Sequence, residues 1–151
     1  MTMIPFIADH PARVLVVDDE RVNRDLVGII LTCEGFEVDF AASGEEALAS
    51  VALRLPDVVL LDIMMPGIDG YQVAAELKGS LATSSVPIIM ISALADPRAR
   101  ARASSTGAEG FLSKPMDRDM LLSRVKNLLR TTYDGYHEGA PGLAPLGAKV
   151  A

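Results

Sequence analysis

Three short runs of the chain are apolar almost throughout instead of alternating with polar residues: RVLVV at 13–17, DVVLL at 57–61 and PIIMI at 87–91. Runs of this length, rich in β-branched residues, predict strands covered on both faces. Two shorter pieces, FEVDF at 36–40 and GFL at 110–112, complete five strand candidates. The segments between them carry helical spacing instead. Val22, Leu26, Ile29, Ile30 and Cys33 form the apolar set of the first, and Ala47, Leu48 and Val51 that of the second. YQVAAELKGS, DPRARARASSTGA and DRDMLLSRVKNLLR supply three more helices.

Strict alternation of strand and helix implies right-handed crossovers and a parallel sheet with helices on both faces. The expected fold is therefore α/β, a doubly wound five-stranded parallel sheet of flavodoxin-like order 2-1-3-4-5 with five helices. Glycine and proline stand where turns are needed: Gly35 after the first helix, Pro66, Gly67 and Gly70 in one loop, Gly107 after the fourth helix. The boundaries read as an N-terminal arm at 1–12, one domain at 13–130, and a Gly-, Pro- and Ala-rich flexible tail or truncated linker at 131–151.

Composition narrows the function. A chain of 151 residues, half of them hydrophobic, suits one domain with a substantial core. A net charge of -6 argues against direct nucleic-acid binding, which needs a basic surface. Cys33 is the single cysteine, which excludes an internal disulfide and a cysteine zinc cluster; it reads as a small core residue on the buried side of its helix. No signal segment and no run of about 20 apolar residues is present, so a cytoplasmic protein without a membrane span is expected.

In an open parallel sheet, ligands bind beyond the carboxyl ends of the strands. Asp18, Asp19 and Glu20 follow the first strand, Asp62 the third, Ser92 the fourth and Lys114 the fifth, so these groups fall on one sheet edge. Carboxylates converging in a partly dry cleft repel one another unless a cation intervenes. An oxygen-only donor set suits Mg2+. Lys114 adds a positive charge and Ser92 a donor, which together can hold a phosphoryl group. Taken singly, each has an ordinary reading: the acids as helix caps or first-turn charges, Ser92 as a turn residue, Lys114 as a surface cation. Their joint placement favours the site.

VLVVDDE, LLDIMMPGIDG, MISA and FLSKP, in this order and spacing, resemble the response-regulator receiver family of two-component signalling over 13–130. The resemblance implies that Asp62 accepts a phosphoryl group from a sensor histidine kinase or histidine phosphotransfer protein. It implies Mg2+ held by Asp18, Asp19, Asp62 and the backbone carbonyl of Met64. Lys114, followed by Pro115 in a peptide bond that is commonly cis, would contact the phosphoryl oxygens. Ser92 would be the switch hydroxyl and Phe111 the switch aromatic. His10 and His137 lie in the arm and the tail, so the phosphoryl group must come from another protein, and no GxxxxGK[ST] loop offers ATP binding.

The resemblance thus implies a phospho-accepting signalling domain that is not an enzyme, its chemistry limited to self-phosphorylation and autodephosphorylation. One alternative is a receiver fragment of a multidomain regulator whose output domain, such as a nucleotide cyclase or phosphodiesterase, is missing. An aspartyl phosphohydrolase would need a general acid two residues after Asp62, where Met64 stands, and a flavin carrier a phosphate loop where DDE stands. In the fourth helix, Ala101 and Ser104 are expected to face inward while Arg98, Arg100 and Arg102 form a basic outer surface. This weakly anchored helix, with the Phe111 strand and the last helix, is the expected face for an output protein or a homodimer.

Overall fold

The computed structural model describes residues 6–7, 10–93 and 96–138. A two-residue antiparallel pair, β1 (Phe6–Ile7) and β2 (His10–Pro11), precedes the main domain, where the sequence suggested only an arm. The domain then runs β3 (Arg13–Val17), α1 (Arg21–Cys33), β4 (Glu37–Ala41), α2 (Gly44–Leu53), β5 (Val58–Asp62), α3 (Gly70–Lys78), β6 (Ile88–Ser92), α4 (Pro97–Ser105), β7 (Gly110–Ser113) and α5 (Arg118–Glu138). All four pairings in the five-stranded sheet are parallel, in the order β4-β3-β5-β6-β7. Counted from β3, this is the expected 2-1-3-4-5.

Each central strand feeds both layers, because successive side chains point to opposite faces. Leu15, Val17, Val59, Leu61, Ile88 and Met90 pack toward α2, α3 and α4, with Ala47, Val51, Val73 and Ala103. Val14, Val16, Val58, Leu60, Ile89, Ile91 and Leu112 pack toward α1 and α5, with Val27, Leu31, Leu121 and Val125. Full burial of each such aliphatic side chain stabilises by about 1.5–3 kcal/mol, which is why these strands tolerate no polar alternation. The edge strand β4 is mostly exposed and carries Glu37 and Asp39 outward.

The helices differ from expectation in their facing. In α1 the buried residues are Val27, Gly28 and Leu31, whereas Val22 is 79% exposed and Ile29 61%. Two aliphatic stripes coexist on this helix, and periodicity cannot choose between them; close packing of Gly28 against the Phe40 ring sets the phase. Cys33, expected inside, is exposed for the same reason. α4 starts on Asp96, whose carboxylate caps Ala99 N–H at 2.8 Å, with Pro97 in the first turn. Its buried residues are Ala99 and Ala103, while Ala101 and Ser104 face solvent. α5, expected to stop near residue 130, continues to Glu138. Extending an established helix adds one hydrogen bond per residue fixed, so a stretch without amphipathic spacing can still prolong it.

Two of the α4 arginines are not a plain solvated surface. The Arg100 guanidinium lies 4.7 Å from the centre of the Phe111 ring and that of Arg102 4.1 Å from the Tyr71 ring. Cation–π contacts at such sites contribute about 0.5–1 kcal/mol each. They supplement the slight anchorage that two alanines provide. Arg100→Ala is therefore expected to speed amide exchange across 97–105 several-fold relative to α1, while Arg98→Ala does not; equal exchange in the two variants would show that the ring contact holds nothing.

Candidate functional site

β3 ends at Val17 and delivers Asp18 and Asp19 to the carboxyl edge of the sheet. Asp18 is buried, its backbone N–H bonded to the Ala41 carbonyl at 3.1 Å and its Oδ1 accepting from Glu20 N–H at 2.9 Å. Asp62 is the last residue of β5, next to β3 in the sheet, and is only 4% exposed. One carboxylate oxygen from each of Asp18, Asp19 and Asp62 lies within 4.8 Å of the others. Glu20 stands outside this group; its carboxylate accepts from the Asn23 amide at 2.6 Å.

Lys114 follows β7 and is tied to β6 through its backbone N–H, which donates to the Ser92 carbonyl at 2.8 Å. Its Nζ stands 3.4 Å from Asp18 Oδ2 and 3.5 Å from Asp62 Oδ1. The Lys114–Pro115 bond is cis. Burial pulls the lysine pKa down, but the Asp62 and Asp18 carboxylates outweigh it and hold the group above its ordinary value. Asp62 is pushed up to about 6, first by burial and then by Asp18, with a smaller push from Asp19; Lys114 and the Met64 backbone N–H pull the other way. One ammonium does not balance three carboxylates. The oxygen donors fit a hard divalent cation such as Mg2+, which would relieve the carboxylate repulsion that adds to burial in raising Asp62.

Of the remaining candidates Met64 borders the cleft, while Ser92 and Phe111 are placed by their strands. Ser92 ends β6 and is buried at the sheet edge. Met64 lines the cleft with Asp19, Glu20, Asp62, Ala93 and Lys114, and its side chain is exposed. Phe111 lies farther back on β7, partly buried against the α2–α4 layer. Its ring meets Arg100, and its carbonyl accepts from Arg124 at 3.0 Å. His10 is exposed, with Nδ1 at 2.8 Å from the Pro11 carbonyl, and the His137 side chain lies outside the described residues.

Two residues at the site were not singled out from sequence. Arg24, one turn into α1, donates from Nη1 to the Asp18 carbonyl at 2.8 Å. Gly70 had been noted only as a loop former, yet a Cβ there would stand 2.5 Å from the Asp62 carbonyl oxygen and 2.7 Å from Ile63 Cα. A cation five positions after the acidic pair was the available signal for Arg24; no local signal existed for Gly70.

Comparisons with known proteins bear on the family and the fold. The profile of the response regulator receiver domain matches residues 14–126. Response regulator PleD of Caulobacter vibrioides is 45% identical over 119 residues, covering 79% of this chain and 26% of that protein. The DNA-binding dual master transcriptional regulator RpaA of Synechocystis is 35% identical over 120 residues, 80% of this chain and 50% of that protein. The chain thus spans half or less of the length of these relatives. Among solved structures, a putative response regulator from Chloroflexus aurantiacus superposes with a TM-score of 0.77 at 38% identity, covering 80% of this chain and 98% of that one. On the fold, the strand-end site and these matches together, the chain belongs to the response regulator receiver domain family.

Proposed function

We propose that Asp62 is the phosphoacceptor and that Asp18, Asp19, Asp62 and the Met64 carbonyl hold Mg2+ during the transfer. The observation that carries this reading is the cluster itself: a nearly inaccessible carboxylate with two further carboxylates within 4.8 Å and one lysine at 3.5 Å. A bound magnesium ion would supply charge neutralisation and orientation for the phosphoryl oxygens. An Asp62 carboxylate oxygen forms the new bond to phosphorus as the phosphorus–nitrogen bond of a donor phosphohistidine breaks, the electron pair staying on the imidazole nitrogen. Lys114 Nζ neutralises a phosphoryl oxygen, and the Ser92 hydroxyl donates to another once phosphorylation draws it in. Movement of Ser92 and Phe111 then alters the face formed by α4, β7 and α5, through which an output protein or a second copy is bound.

The donor is a sensor histidine kinase or histidine phosphotransfer protein. Val22, Leu26 and Ile29, exposed at spacings of four and three on α1, offer a helix-sized apolar seam beside the cleft. The domain is read as 13–130, acting in the cytoplasm; among the described residues no helix is long and apolar enough to cross a membrane. The greater length of the curated relatives supports a second reading, a receiver that forms part of a longer regulator bearing its own output domain.

Acetyl phosphate with and without Mg2+, followed by intact mass, tests the proposal. A gain of one phosphoryl group with Mg2+, suppressed by EDTA, is expected. Equal labelling in EDTA would overturn the metal assignment.

A further inference from the structure

We infer that Arg24 is a positioning residue for the metal-binding turn, acting on the Mg2+ ligands through the backbone of Asp18 and resting on the reading of that turn given above. The turn between β3 and α1 is thinly fastened. The α1 N-cap, Glu20, makes no side-chain capping bond, and no acidic residue occupies the first turn of the helix. Two of the three carboxylates proposed to hold the ion, Asp18 and Asp19, therefore sit in a turn without the usual capping fastening.

The other ties that the turn does have are named bonds. Asp18 N–H is held by the Ala41 carbonyl, Glu20 N–H is held by Asp18 Oδ1, and Arg24 N–H bonds the Glu20 carbonyl at 3.0 Å within the helix. The Arg24 side chain then folds back from inside α1 and donates to the Asp18 carbonyl at 2.8 Å. That bond joins the first turn of α1 to the last residue before Asp19, so it sets the angle at which both carboxylates leave the strand. Arg24 is half-buried, which keeps the bond from being fully solvated.

Charge alone predicts the opposite sign. A guanidinium close to a cation site repels the incoming ion, so removing it should tighten Mg2+ binding if electrostatics is its whole effect. If Arg24 acts by holding the turn, removing it should weaken binding despite the relief of repulsion. Residues that orient metal ligands typically cost 10- to 100-fold in metal affinity when lost.

The experiment is Mg2+ titration of the whole chain by isothermal calorimetry, repeated with Mn2+ by electron paramagnetic resonance, for the parent, Arg24→Ala, Arg24→Lys and Asp18→Asn. Circular dichroism melts in EDTA report on folding. Arg24→Ala is expected to bind both ions about tenfold more weakly with an unchanged melt, and Arg24→Lys, which keeps a donor and the charge, to recover most of the loss. If the parent itself binds no Mg2+, or Asp18→Asn binds as the parent does, the metal reading above fails. If the parent binds and Asp18→Asn does not, while folded Arg24→Ala binds as tightly as the parent or more tightly, the role given to Arg24 is wrong. Should Arg24→Ala not fold, Arg24→Met, which keeps the aliphatic stem and removes the donor, is titrated in its place: about tenfold weaker binding with an intact melt supports positioning, and parental or tighter binding overturns it.

Discussion

Asp62→Asn is expected to abolish the gain of a phosphoryl group and, in metal-free solution near neutral pH, to make the protein more stable than the parent. Both effects follow from one placement. The carboxylate is buried at the end of a central strand facing two others, and its pKa is raised from 3.8 to about 6. A raised carboxylate pKa means that the folded state disfavours ionisation more than the unfolded chain does. Below about pH 4 both states are protonated there and no penalty exists. As pH rises toward about 6 the unfolded chain gains by ionising while the folded one does not, so stability falls through this window and levels off above it. An amide at position 62 carries no charge to penalise. In EDTA the variant should thus exceed the parent by on the order of 2 kcal/mol at pH 7, with little difference near pH 4. On the proposed metal assignment, saturating Mg2+ should bind the folded parent, neutralise the cluster and close or reverse the gap. Urea denaturation at the two pH values, with and without Mg2+, reads this directly. A variant less stable than the parent at pH 7 in EDTA would mean that Asp62 is not held against its charge.

Gly70→Ala carries the second large effect, on geometry instead of charge. Gly70 opens α3 behind the Asp69 cap, whose carboxylate accepts from Gln72 N–H while the Gln72 side chain returns to Asp69 N–H. This reciprocal box and the bond from Gly70 N–H to the Ile63 carbonyl at 2.9 Å press the helix start onto the end of β5. A methyl group at position 70 would meet the Asp62 carbonyl oxygen and Ile63 Cα, both main-chain atoms that cannot rotate away. Either α3 lifts, exposing Val73, Ala74 and Leu77, or the Asp62 backbone moves. Overpacking of this kind costs about 1–3 kcal/mol, and displacing Asp62, the proposed phosphoacceptor, would slow transfer on its own. The expected result is a lower melting temperature together with at least a tenfold slower phosphorylation by acetyl phosphate, measured below the melt. Gly79→Ala is the comparison for an added methyl away from β5: a Cβ there meets only the Ala75 and Glu76 carbonyl oxygens, the nearer at 3.0 Å, so some loss of stability with a parental phosphorylation rate is expected. Parental rates in Gly70→Ala would show that the contact is not as tight as it stands here.

Much of the architecture was legible because its signals are local. A strand buried on both faces must be apolar at successive positions, and RVLVV, VVLL and IIMI each say so within five residues. The acids and the lysine directly after such runs then lie at the same sheet edge without any knowledge of packing, which is why the proximity of Asp18, Asp19, Asp62 and Lys114 follows from order alone. Glu20 shows the limit of that reasoning: it is adjacent in sequence, yet the turn sends its side chain to Asn23.

The sequence by itself determined the alternation of elements, the parallel sheet and the edge at which the charged groups meet, since each depends on residue spacing along one strand or helix. Only the tertiary structure decided which stripe of α1 is buried, that Cys33 is exposed, that α4 rests on Ala99 and Ala103, and that Arg100 covers Phe111. It also decided that Arg24 holds the Asp18 carbonyl and that Gly70 admits no side chain. These are contacts between elements, set by how a helix is rotated and how closely it approaches the sheet. Periodicity leaves that rotation open whenever two faces are both acceptable to a core.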